Sequence, residues 1–147
     1  MRQLGVIIAV AVMVGTVAGT GQAQQPAAPP DRASAFDFEF FRTRIQPIFL
    51  HKREGLGRCY VCHSQGTPFL LQRLSPGSSV WNEQESRRNF QAVLRLVAPG
   101  RPQASRLLLM PLAADAGGVS FHPGGKHWSS QDDPEWRILA DWVRGAK

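Results

Sequence analysis

Residues 59–63 read Cys59-Tyr60-Val61-Cys62-His63, and this C-x-x-C-H run decides how the rest of the chain is read. It contains the only two cysteines of the 147 residues. A disulfide between positions this close closes a tiny loop and adds little stability. A zinc site on Cys59, Cys62 and two histidines lacks a second C-x-x-C or a paired-histidine spacing. A thioredoxin-like redox pair lacks its βαβ setting. Two thiols one helical turn apart, with a histidine directly after the second, suit another use. They reach two vinyl groups along one edge of a porphyrin, and the histidine then ligates the iron. The expectation is one covalent haem c, with Cys59 and Cys62 forming thioethers and His63 as the proximal iron ligand. The other His63 nitrogen needs a hydrogen-bond acceptor to fix the ring, and a carbonyl in residues 66–68 is the candidate.

Far upstream, Met1-Arg2-Gln3 is a short positive start, Leu4 to Ala18 is apolar and uncharged, and Gly21-Gln22-Ala23 supplies small residues for a cut after Ala23. That is the layout of a secretory signal peptide over 1–23, and it implies a periplasmic or otherwise exported protein. An uncleaved anchor is the competing reading, though the run is short for a span and diluted by Gly and Thr. Residues 24–35, rich in Pro and Ala, read as a flexible linker. One domain follows over 36–147. The net charge of +6 is scattered, apart from Arg87-Arg88 and His51-Lys52-Arg53, with no stripe or module for nucleic acid. It suits solubility and docking to an acidic redox partner.

Inside the domain the apolar spacing is helical. Phe38, Phe41 and Ile45 mark a first helix bent or ended near Pro47. Residues 58–63 form a short helical turn, and 64–81 a loop. Asn82 and Glu85 form a capping box for a helix burying Phe90, Val93, Leu94 and Val97 and stopping before Pro99-Gly100. Pro102 to Met110 reads as a shorter helix, and 111–132 as Gly-rich irregular chain. Asp133 caps a last helix with Pro134 at its first position and Trp136, Leu139, Ala140 and Val143 as its buried stripe. The fold class is all-α, with long loops that a large apolar cofactor would justify.

Several stretches resemble a known family. Ile45-Gln46-Pro47-Ile48-Phe49 before C-x-x-C-H, Pro99-Gly100-Arg101-Pro102 through Ser105-Arg106-Leu107-Leu108, His122-Pro123-Gly124-Gly125-Lys126, and Ile138-Leu139-Ala140-Asp141-Trp142-Val143 resemble the ordered motifs of class I-like cytochrome c domains, notably the planctomycete-type ones. The resemblance covers residues 38–145. It implies a small class I-like cytochrome c fold wrapped around one haem, with first and last helices crossing beside the haem edge, and an electron-transfer role.

The second iron ligand has four candidates. His122 leads: it lies in a Gly-rich loop where the resembling family places its distal ligand, and Gly124-Gly125 would let backbone approach the porphyrin. Met110, followed by Pro111, is the alternative, unless it only continues the core run Leu107 to Leu109. His127 stands one turn nearer the last helix and could serve a propionate instead. His51 precedes the motif too closely to cross the haem easily. Arg87, Arg88, Arg95 and Lys126 could pair with propionates, as could the indoles of Trp81 and Trp128; a solvated helix face and core packing are the plainer roles.

Three functions follow. The first is a carrier of single electrons, not an enzyme, between redox protein partners such as a membrane respiratory complex or a periplasmic oxidoreductase. The second is a haem-based ligand-binding, sensory or peroxidase-like domain with a vacant iron position. The third is a haem subunit of a larger redox complex.

Overall fold

A computed structural model describes residues 32–145 and Lys147. The signal peptide expected over 1–23, and the linker as far as residue 31, lie outside the described residues. The last part of that linker is not loose. Arg32–Ala35 form a 3-10 turn, Ala33 packs on the core, and the Phe36 N–H donates to the Ala33 carbonyl at 3.3 Å. The folded unit therefore begins by residue 32, a few positions before the expected boundary.

The first helical path runs over residues 38–50 without stopping at the proline. α1, Phe38–Phe40, starts where the Asp37 carboxylate accepts the Phe40 N–H. A π-helical turn, Phe41–Ile45, leads into α2, Gln46–Leu50, with Pro47 in its first turn. Pro47 brings no N–H, and the Gln46 N–H reaches back five residues to the Phe41 carbonyl. Widening the turn carries the helix through a residue that would otherwise break it. The helix expected to bend or end near Pro47 thus continues, with a π turn just before it. Phe41 and Ile45 are fully buried on its inner side.

α3, Cys59–His63, is a single turn. α4, Glu83–Leu94, begins with the expected capping box: the Asn82 amide oxygen accepts from the Glu85 N–H and Glu85 accepts from the Asn82 N–H, both at 2.9 Å. It ends at Leu94, so Val97 is buried from the following turn instead of from the helix. The segment expected as one helix over Pro102 to Met110 is divided. A 3-10 turn, Pro102–Ala104, is followed by extended Ser105 and then by α5, Arg106–Leu109. Buried Ser105 explains the break: its hydroxyl donates to the Arg101 carbonyl and accepts the Ala98 N–H, both at 2.9 Å.

The loop 111–132 is more ordered than expected. It holds a 3-10 turn, Ala114–Ala116, and an isolated parallel bridge between Leu112 and Trp128. Gly118 is required there, because a Cβ would overlap the Leu112 carbonyl. α6, Pro134–Arg144, matches the expected helix, with Asp133 accepting the Glu135 N–H and Gly145 left-handed after it. Its stripe of Trp136, Leu139, Ala140, Trp142 and Val143 is buried.

The first and last helical segments pack together. Phe41 lies 5.6 Å from Trp142 and 5.2 Å from Phe90 between ring centres, and the Trp142 indole donates to the Asp37 carbonyl at 3.1 Å. Among the described residues the fold is all-α, with one isolated bridge and no strand. None of the described helices is long and apolar enough to cross a membrane.

Candidate functional site

The site is carried by α3 and by the loop between α5 and α6. α3 is moored on its inner side. The Tyr60 hydroxyl accepts the Leu74 N–H at 3.0 Å, its ring meets Trp81 edge-on at 5.7 Å, and the Leu71 N–H donates to the His63 carbonyl at 2.6 Å. Cys59 is half-buried and Cys62 exposed, and both are free thiols. Burial raises the Cys59 pKa, with the Arg53 charge opposing it. A thioredoxin-like nucleophile needs the opposite shift.

Both imidazoles of interest are anchored by the same nitrogen. His63 Nδ1 donates to the Phe69 carbonyl at 3.0 Å, with the Thr67 hydroxyl 3.1 Å away and itself donating to that carbonyl. The acceptor lies one residue beyond the expected 66–68, with Thr67 as a second partner inside it. His122 Nδ1 donates to the Gly125 carbonyl at 2.7 Å, and the Gly125 N–H closes the turn onto the His122 carbonyl at 2.9 Å. With Nδ1 carrying the proton, each Nε2 has its lone pair free. Burial lowers the His63 pKa, the Phe69 carbonyl opposing and His122 adding to the effect, so the ring is neutral near pH 7.

The two rings come together. Their centres are 6.2 Å apart and their planes within 14° of parallel, although 59 positions separate them in the chain. Gly124 makes room: a Cβ there would press on His122 Cε1 at 3.2 Å. The glycine gives space to the histidine ring itself. Two imidazoles this close, each with Nε2 free of a protein partner, are donors of the kind a metal centre takes. Among the described residues no group of three or more His, Cys, Asp or Glu converges as a bare ion would need.

The remaining candidates have partners of their own. His127 lies beside His122, ring centres 6.4 Å apart at 60°, but its Nδ1 is 3.2 Å from Arg53 Nη1. Burial, then the Arg53 and His122 charges, hold its pKa down at about 4. His51 points away to the Glu135 carboxylate at 2.7 Å. Met110 is the C-cap of α5, and its carbonyl accepts from Lys126 Nζ at 3.0 Å. Lys126 also donates to the Val119 carbonyl, so backbone engages two of its three ammonium donors. Arg87 pairs with Glu83 and lies over the Phe38 ring at 4.3 Å, and Arg88 donates to the Gln72 side chain. The Trp81 indole donates to the Gln72 carbonyl at 2.7 Å and that of Trp128 to Glu135 at 3.5 Å.

Arg53 was read only as one charge of a basic run, yet its side chain is 13% exposed and it pairs with Glu135. Its guanidinium also lies 5.8 Å from the Trp128 ring centre. Glu135 carried no reading of its own. No spacing rule links either to His127, so only the fold reveals the cluster. No protein-family model matches the chain, and no match was found among the curated proteins or the solved structures.

Proposed function

We propose that the chain is an exported c-type cytochrome that carries single electrons, with one haem c held by Cys59 and Cys62 and ligated by His63 and His122. The observation that carries this reading is the imidazole pair. Two metal–nitrogen bonds of about 2 Å, with about 1 Å more from each nitrogen to its ring centre, set imidazole centres about 6 Å apart across a metal. His63 and His122 are 6.2 Å apart, each with Nε2 free, and one follows directly on Cys62.

The apolar surface supports the same reading. The exposed large hydrophobic residues include Val61, Leu70 and Phe121. Each adjoins a residue of the site: Val61 precedes Cys62, Leu70 follows Phe69, and Phe121 precedes His122. Exposed apolar side chains next in sequence to these residues suit an apolar group bound there. The contact between the first and last helical segments is in keeping with what the sequence resemblance to class I-like cytochrome c domains implies.

When bound, the haem supplies a one-electron ferric–ferrous couple. The chain's part is to hold and shield it. Cys59 and Cys62 fix one edge, and the carbonyls of Phe69 and Gly125 orient the two axial rings and strengthen their donation. With His63 and His122 both as ligands the iron would keep no open position, which favours a carrier over a gas-binding or peroxidase-like site needing one open. Acidic surfaces of redox proteins suit the positive net charge, +6 for the full chain and one less without Arg2.

Spectroscopy of the purified mature holoprotein tests this. The pigment should stay with the protein in acidified organic solvent, the resting ferric form should be low-spin with nitrogen–nitrogen ligation in the near infrared, and the ferrous form should refuse carbon monoxide. The near-parallel planes should give a rhombic low-spin resonance, not the strongly anisotropic one of perpendicular rings. His122→Ala should abolish the low-spin spectrum. Extractable pigment would end the covalent reading, and a sulfur–nitrogen band would move the ligand to Met110.

A further inference from the structure

Two histidines stand on the distal loop, His122 and His127, with ring centres only 6.4 Å apart, so a choice between them must be made. We propose that Arg53 makes it: by donating to Nδ1 of His127 it removes that ring as a competing iron ligand and leaves His122 as the partner of His63. This rests on the cytochrome reading above and adds to it a positioning residue.

The argument is one of lone pairs. A guanidinium has donors and no acceptor, so at 3.2 Å the Nδ1 of His127 must be the acceptor. A neutral imidazole has one lone pair; spent on Arg53, it leaves the proton on Nε2 and nothing to offer a metal. His122 is wired the opposite way, its Nδ1 giving a proton to the Gly125 carbonyl and its Nε2 left free. Adjacent rings are thus held in opposite tautomers by an arginine on one side and a carbonyl on the other.

Arg53 is fixed for the task. It pairs with Glu135 at the start of α6, and Glu135 is held in turn by His51 at 2.7 Å. It comes from the residues between α2 and α3, so it joins the run into the cysteine motif to the distal loop. The loop is tied there by backbone as well, the His127 N–H donating to the Pro111 carbonyl at 2.7 Å. A buried ion pair is weak support for stability, because desolvation offsets most of its attraction. Placement beside the ligand loop gives this one a different role.

The test is spectroscopic and uses the holoprotein. His122→Ala with Arg53 intact should be high-spin and bind carbon monoxide, because His127 cannot replace the lost ring. Adding Arg53→Met should restore low-spin nitrogen ligation, and a third change, His127→Ala, should remove it again. Arg53→Lys keeps a donor, so the His122→Ala, Arg53→Lys protein should stay high-spin. A merely structural arginine would lower the melting temperature in Met and Lys variants without this pattern. Low-spin ligation in His122→Ala that disappears on adding His127→Ala would overturn the proposal and leave the covalent haem standing; low-spin ligation that survives both would instead sink the axial assignment. Failure of Arg53→Met to restore ligation also overturns it. The parent gives an independent reading: in the diamagnetic ferrous form, nitrogen-15 correlations should show His127 protonated on Nε2, and a proton on Nδ1 refutes the idea.

Discussion

His127 shows how much a single residue's surroundings decide. The side chain is 8% exposed, and burial, then Arg53, hold its pKa at about 4 against an ordinary 6.5. The folded ring therefore refuses a proton that the unfolded chain accepts between these values. In that window the unfolded state binds more protons, so stability rises with pH. Acidifying from pH 6.5 to about 4 should cost up to about 3 kcal/mol from this residue, with no further loss from it below pH 4. Carboxylates titrate there too, so the measurement is a difference: urea unfolding of the parent and of His127→Gln at several pH values. The gap between the two curves should shrink as pH falls through the window; a constant gap would contradict the shift. At this scale the sequence was informative where a motif spoke. The expectation for Cys59, Cys62 and His63 was legible from spacing alone, and that for His122 from its loop and a resemblance. Arg53 was not, because its partners His127 and Glu135 lie 74 and 82 positions away and meet it only through the fold.

Between residue and molecule, elements with strong local rules were read well. α4 has both halves of a capping box and α6 has Asp, Pro and Gly at its two ends, each residue satisfying backbone groups within its own turn. Such rules need no knowledge of the rest of the chain. Asn82→Ala should therefore cost about 1 kcal/mol, the usual value of an N-cap, without altering the site spectrum. Thermal melting would check it. Only the Glu85 N–H loses its acceptor, because the backbone N–H of residue 82 and the Ser75 hydroxyl still donate to the Glu85 carboxylate, so the cost should stay near that figure. A loss below a few tenths of a kcal/mol would mean that tertiary packing alone holds the helix start. The elements read less well answer to distant partners. The π turn at Phe41–Ile45 keeps Phe41 against Phe90 and Trp142 despite Pro47, and a local rule for proline sees only the break. The loop 111–132 carries its order in the Leu112–Trp128 bridge and in Lys126, whose ammonium holds the carbonyls of Met110 and Val119. A Gly-rich composition does not disclose such a clamp.

Over the whole molecule, two parts with different cohesion meet. One is the helical part, where Phe36, Phe41, Phe90 and Trp142 cluster between the first path, α4 and α6. Its contacts are apolar, and aromatic burial of this kind contributes most of a small core's stability. The other comprises residues 51–81 and 111–132, with few helical turns, where His63 and His122 approach from distant parts of the sequence. Loops held by hydrogen bonds and a few buried side chains are the low-stability end of a fold. On the proposed reading a covalent, doubly ligated group ties them into the helical part. Replacing both cysteines, Cys59→Ser with Cys62→Ser, removes that tie. By analogy with other covalent cross-links the loss is about 2–4 kcal/mol, and it should be uneven. The loop part should open first, so amide exchange in 111–132 becomes fast while α4 and α6 stay protected. Far-ultraviolet dichroism should persist after near-ultraviolet aromatic signals have changed, and unfolding in urea should lose its single cooperative step. One sharp transition at the parent's midpoint, with residues 111–132 still protected, would show that these loops hold themselves together and need no bound group to organise them.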